Sequence, residues 1–162
     1  MELQDIATRA VALLRDKGLT VATAESCTGG MIAAAITDVA GASRVFGTGV
    51  VSYSCQCKMK LLDVSATTLA AEGAVCAATA KQMAQGVRRV GEADFGVSVT
   101  GEAGPVAAEN HSVGTVFIGL ADGSGTIVEE HHFSGDRAAV RRQAACAGLS
   151  LLVRRLEGVT GC

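Results

Sequence analysis

The chain has 162 residues, of which 49% are hydrophobic and only 3% aromatic, with no tryptophan. That length and apolar content suit one domain, residues 1–162, with a sizeable core built from alanine, valine and leucine, and exclude a disordered chain. A formal charge of −2 argues against the strongly basic face that nucleic-acid binding requires, and no apolar run approaches the ~20 residues that span a bilayer.

The start, Met1-Glu2-Leu3-Gln4-Asp5, lacks the basic beginning and apolar middle of a signal peptide. A cytosolic protein with no nucleic-acid or membrane partner is expected. The six cysteines, at 27, 55, 57, 76, 146 and 162, form no C-x-x-C pair, so neither a structural zinc site nor a disulfide framework is indicated. Most are read as small buried apolar residues, and Cys162 as exposed and incidental.

In chain order, Leu3 to Lys17 shows a helical apolar face of Ile6, Ala10, Leu13 and Leu14, closed by Gly18. Leu19-Thr20-Val21-Ala22 reads as a short strand and Met31 to Ile36 as an alanine-rich helix. Between them lies Thr23-Ala24-Glu25-Ser26-Cys27-Thr28-Gly29-Gly30. Hydroxyls and glycines at a strand-to-helix junction place Ser26 and Thr28 at the mouth of a sheet. The unpaired N–H groups of a helix start there suit a nucleophile, an oxyanion or a phosphate. By themselves these residues read more readily as an ordinary N-cap than as a catalytic turn.

A loop around Gly41 leads to a strand over Val45 to Ser54, then short helices over Gln56 to Leu62 and Thr67 to Glu72, and a longer one over Cys76 to Val90. Asp94 to Thr100 is an apolar strand ending in Gly101. Val113 to Ala121 and Thr126 to Phe133 flank Asp122-Gly123-Ser124-Gly125, which is hairpin chemistry. Arg137 to Leu156 is a long final helix. Strands alternating with helices, plus a C-terminal hairpin, predict an α/β fold: a three-layer α/β/α sandwich on a mixed, mostly parallel sheet.

Four segments carry chemistry-bearing residues. Tyr53 and Lys58 fall where a strand gives way to a helix, so both can reach one cleft. A lysine beside a serine acts as its base when burial lowers the ammonium pKa; alone, Lys58 reads as a solvated residue on a helix that also carries Lys60. Thr100-Gly101-Glu102-Ala103-Gly104-Pro105 follows a buried strand, where ligands collect in open α/β sheets. Arg137 and Arg141 are four apart, share a helix face and could grip a phosphate; a surface ion pair is the plainer alternative. His111, His131 and His132 make no metal set, and Gly47-Thr48-Gly49-Val50 fails the dinucleotide-binding pattern.

Together, Glu-Ser-Cys-Thr-Gly-Gly, Tyr-Ser-x-x-x-Lys, Thr-Gly-x-Ala-Gly-Pro, Val-Gly-Thr-Val and Phe-Ser-Gly-Asp-Arg with Arg141 resemble the CinA C-terminal domain family over nearly the whole chain, in a stand-alone form. That family includes nicotinamide mononucleotide deamidases, which hydrolyse the carboxamide to the acid and release ammonia without a metal or other cofactor. The resemblance implies Ser26 as nucleophile with Tyr53 and Lys58 as the activating pair. It also implies a substrate site over Thr28, Gly29, Gly30, Thr100, Gly101, Gly104 and the Arg137/Arg141 face. The sequence does not choose between Lys58 and Tyr53 as immediate base, or between Arg137 and Arg141 as phosphate ligand. The chain departs from the family pattern at Cys55 (usually Asn), Cys76 (usually Ser), Glu102 (often Ile) and in a 106–112 loop that lacks the family's glycine-rich stretch. Two alternatives to deamidation therefore stand beside it, a non-catalytic phosphate-binding homologue and an amidase for another small carboxamide. The alanine-rich surface makes a homodimer the expected assembly.

Overall fold

The computed structural model describes residues 1–158. In order they form α1 (Leu3–Lys17), β1 (Val21–Glu25), α2 (Met31–Thr37), a 3-10 turn (Ala42–Arg44), β2 (Phe46–Val51), α3 (Cys55–Leu62), α4 (Ala66–Glu72), α5 (Ala77–Val90), β3 (Phe95–Gly101), β4 (Thr115–Asp122), β5 (Gly125–His132) and α6 (Arg137–Gly158).

Local chemistry accounts for most boundaries. Gly18 ends α1 in the left-handed region at φ 66° and returns its N–H to carbonyls of the last turn. The Ser54 hydroxyl caps α3 by accepting from the Cys57 N–H, and Ser65 caps α4 in the same way. At α5 the cap is a thiol: Cys76 Sγ accepts from the Thr79 N–H at 3.3 Å. The cysteines are less uniformly buried than expected. Cys27 and Cys76 are buried, Cys55 is exposed, Cys57 and Cys146 are half-buried, and Cys162 lies outside the described residues.

The five strands pair in the order β2-β1-β3-β4-β5. β1 is parallel to both β2 and β3, whereas the β3–β4 and β4–β5 pairs are antiparallel. One face packs on α1, α2 and α6, with Leu14, Ile32, Leu149 and Leu152 set against Val97 and Ile118. On the other face Leu62 of α3 and Met83 and Val87 of α5 cover Ala22 and Ala24. The scarcity of aromatic residues fits this close spacing. A Cβ added at Gly96 or Gly119 would strike the α5 carbonyls of Ala84 and Ala80, so the sheet and α5 approach nearly backbone to backbone.

β1 begins later than the sequence suggested and runs through Glu25, all five of its residues buried. From its end the chain crosses by α2 to β2 on one side, while β3 leads to β4 on the other. Neighbouring strand ends whose connections diverge leave a crevice in an open α/β sheet. That crevice holds the site.

Candidate active site

Ser26 follows β1 directly, and its N–H donates to Val99 O of β3 at 3.0 Å, fixing it beside the second strand of the crevice. Lys58 comes from the first turns of α3. Its Nζ lies 3.1 Å from Ser26 Oγ and donates to Ser52 O at 2.7 Å. Lys58 is 1% exposed and Ser26 9%. Both contacts of the amine are to uncharged oxygens, and none of the ion pairs among the described residues involves it. Burial pushes the Lys58 ammonium below the ordinary lysine pKa, opposed by the nearby Cys55, Cys27, Glu109 and Cys57. A buried, unpaired lysine favours the neutral amine, the form that accepts a proton.

These two residues open onto a cavity of about 210 Å³ whose walls include Thr100, Glu102, Glu109 and Arg137. Gly101 and Gly104 line it as well. Arg137, exposed at the mouth, donates from Nη1 to Gly104 O at 2.6 Å and from Nη2 to Tyr53 OH at 2.7 Å. Tyr53 is 58% exposed, and its hydroxyl hydrogen-bonds Arg137 instead of Ser26 or Lys58. Of the expected activating pair, the structure brings only Lys58 into contact with Ser26.

The expected glycine-rich anion cradle does not form. Both oxygens of Glu25 fill the start of α2: Oε1 accepts from Thr28 Oγ1 at 2.7 Å and Ile32 N at 2.8 Å, and Oε2 from Ala33 N at 3.0 Å. The helix N–H groups expected to be free are thereby taken by an internal carboxylate, the usual complement to a helix start. Thr28, Gly29 and Gly30 accordingly stand outside the cavity lining; the glycines supply positive φ (61° and 104°) for the turn. Arg141 also stands outside the cavity lining. Its Nε donates to Cys27 O and its Nη2 to Thr28 O, at 2.9 and 3.1 Å, so it fastens the nucleophile turn from behind.

Several residues in the cavity wall or behind it are not singled out by the sequence. Cys27 lines the cavity, and burial pushes its thiol up to about 11, with its own backbone N–H and Lys58 pulling the other way; it is no rival nucleophile. Glu25 carried a local signal, since a carboxylate in a fully buried strand just before a helix needs donors. Glu109 carried none: its partners, the Ala74 and Val75 N–H groups, lie 35 and 34 residues away in sequence. Among the described residues no group of three potential metal-binding side chains is present, and no helix is long and apolar enough to cross a membrane.

The CinA C-terminal domain family matches residues 3–156. The chain belongs to that family. It is 47% identical over 152 residues to a CinA-like protein of Geobacter sulfurreducens, covering 93% of this chain but only 37% of that protein. It therefore spans little more than a third of the length of such curated relatives. Among solved structures, a CinA superfamily protein from Klebsiella pneumoniae superposes with TM-score 0.94 at 33% identity, covering 98% of this chain and 99% of the other. The competence/damage inducible protein of Agrobacterium tumefaciens gives TM-score 0.91 at 36% identity, covering 96% and 95%. The three-layer architecture expected from the sequence is thus the CinA fold.

Proposed function

We propose that this CinA domain is a serine amidohydrolase that converts nicotinamide mononucleotide to nicotinate mononucleotide and ammonia. The 3.1 Å contact between Lys58 Nζ and Ser26 Oγ in a buried cavity supports this reading more than any other feature. A neutral Lys58 accepts the Ser26 proton as Oγ attacks the carboxamide carbon. When the carbon–nitrogen bond breaks, the lysine returns that proton to the departing nitrogen, which leaves as ammonia. Water then attacks the resulting ester, again losing a proton to Lys58, and the acid and free Ser26 are regenerated. With the α2 amides held by Glu25, we assign oxyanion stabilisation to the N–H of Cys27, the residue after the nucleophile.

The cavity, about 210 Å³, is smaller than the roughly 300–1,000 Å³ of drug-sized sites. It suits the carboxamide-bearing ring, leaving ribose and phosphate at the mouth beside Arg137. Binding there supplies orientation remote from the reacting carbon. Purified protein should release ammonia from nicotinamide mononucleotide, and Ser26→Ala should abolish it. A folded wild-type protein that releases none contradicts the reaction. The wall built from residues 106–109, which departs from the family pattern, favours one second reading: an amidase for another small carboxamide, which a panel of aromatic and aliphatic amides would reveal.

A further inference from the structure

The loop after β3 is fastened by its own acidic residues. Glu102 is 4% exposed, and its carboxylate accepts from Ala108 N at 2.8 Å and Glu109 N at 3.0 Å. Glu109 then reaches across the cavity rim, accepting from Ala74 N at 2.7 Å and Val75 N at 3.0 Å. Gly73 makes that reach possible, because a Cβ there would collide with the Glu109 carboxylate. The other side of the same peptide is held from β3, where Thr100 Oγ1 donates to Ala74 O at 2.7 Å. The links close a ring: from Thr100 to the 73–75 turn, to Glu109, to Glu102, and back to β3. Val106, Ala108 and Glu109 of the ring line the cavity.

The geometry points to Glu102 and Glu109 as positioning residues acting in series, which hold segment 106–109 as a fixed wall of the Ser26–Lys58 cavity and so set how tightly substrate is held. Neither carboxylate touches the Ser26–Lys58 pair through a hydrogen bond. Glu102 acts through the wall alone, whereas Glu109 also bears on Lys58 by its charge. Four backbone N–H groups depend on two carboxylates, and removing an acceptor from such groups frees the segment they hold. Because the links are in series, breaking either one releases the loop, and breaking both adds little more. The inference deepens the proposed deamidation and rests on it only for its kinetic consequence.

The test is hydrogen exchange on the full chain for wild type, Glu102→Gln, Glu109→Gln and the double variant. Glu109 is half-buried, so its variant keeps the fold even if Glu102→Gln does not. Exchange of residues 106–111 and of the Ala74 and Val75 amides should quicken at least tenfold in each single variant, with little further change in the double. The α1 and α6 amides should stay as slow as in wild type. Unchanged exchange in Glu109→Gln, or acceleration spread evenly over the sheet, would overturn the latch. With nicotinamide mononucleotide as substrate, at a pH on the rate plateau where Lys58 is neutral in every variant, KM should rise several-fold while kcat stays within about twofold; a fall in kcat alone would contradict a positioning role. Exchange reads the latch without turnover, so an inert wild-type protein would sink the reaction and leave the latch to be decided by exchange alone.

Discussion

Two turns frame the cavity, and each is fastened by carboxylates that accept backbone N–H groups. In the nucleophile turn, Glu25 binds Thr28, Ile32 and Ala33 within eight residues of itself, and Arg141 closes it from behind. In the facing loop, Glu102 and Glu109 reach backbone N–H groups six and thirty-five residues away. The first arrangement is compact and buried; the second is a strap over a half-exposed rim. The difference separates two tasks. In the proposed reaction, one turn holds the Ser26 hydroxyl against Lys58, and the other shapes the space for the substrate.

The largest effect is expected at Lys58. Lys58→Met should lower kcat by at least about 10³-fold, since an unactivated serine is a poor nucleophile. Thermal stability should change little, because the gain from replacing a buried amine by an apolar side chain of similar length is offset by the donor lost to Ser52 O. A melting scan beside the kinetic assay separates the two effects. If Lys58→Met retains activity within tenfold, the lysine is structural.

The next largest contrast lies between two arginines one helical turn apart. Arg137→Ala should raise KM about 10–100-fold, the value of one or two charge-assisted hydrogen bonds, with the melting temperature nearly unchanged. Arg141→Ala should do the reverse, leaving two carbonyls of the nucleophile turn without their donor. A stability loss of about 1–3 kcal/mol would appear as a melting shift of roughly 2–10 °C. Equal kinetic losses without any melting shift would restore Arg141 to the substrate site.

The rate should rise with pH through the depressed Lys58 pKa, because only the neutral amine accepts the Ser26 proton. Stability has the same sign. Between the folded and unfolded lysine pKa values the unfolded chain binds more protons, so stability climbs with pH across that window and is weakened below it. Lys58→Met should lose this slope. A rate that falls as pH rises over the same window would contradict a neutral base.

Smallest of all should be Tyr53→Phe. Its hydroxyl meets Arg137 and not Ser26, so a loss of about threefold or less in kcat/KM is expected, as for a single exposed hydrogen bond. A loss approaching that of Lys58→Met would place the phenol in the proton path.

The sequence made the elements and the nucleophile–lysine pairing legible because their signals are local or motif-borne. Gly18 and the Asp122–Gly125 turn mark boundaries by backbone preference alone, and Ser26 and Lys58 stand within recognisable motifs. What it misjudged came from competition for the same groups. The α2 amides looked free because Glu25 was placed outside the strand instead of at its end, pointing into the helix start. Arg137 and Arg141 share a face by spacing, but only contacts across 113 and 114 residues show that Arg141 is consumed by backbone carbonyls. Glu102 stands in the sequence only as a departure from the family pattern, whereas its oxygens are turned to the Ala108 and Glu109 amides. Long-range hydrogen bonds of this kind leave no periodicity to read.

The most direct measurement is ammonia release from nicotinamide mononucleotide by the wild type and Lys58→Met, with the wild-type reaction followed by intact-protein mass spectrometry. The expected result is steady release by the wild type, near-complete loss in Lys58→Met, and an ester adduct mapping to Ser26. Release that persists undiminished in Lys58→Met, or an adduct on another residue, would contradict the pairing of Ser26 with a buried neutral lysine.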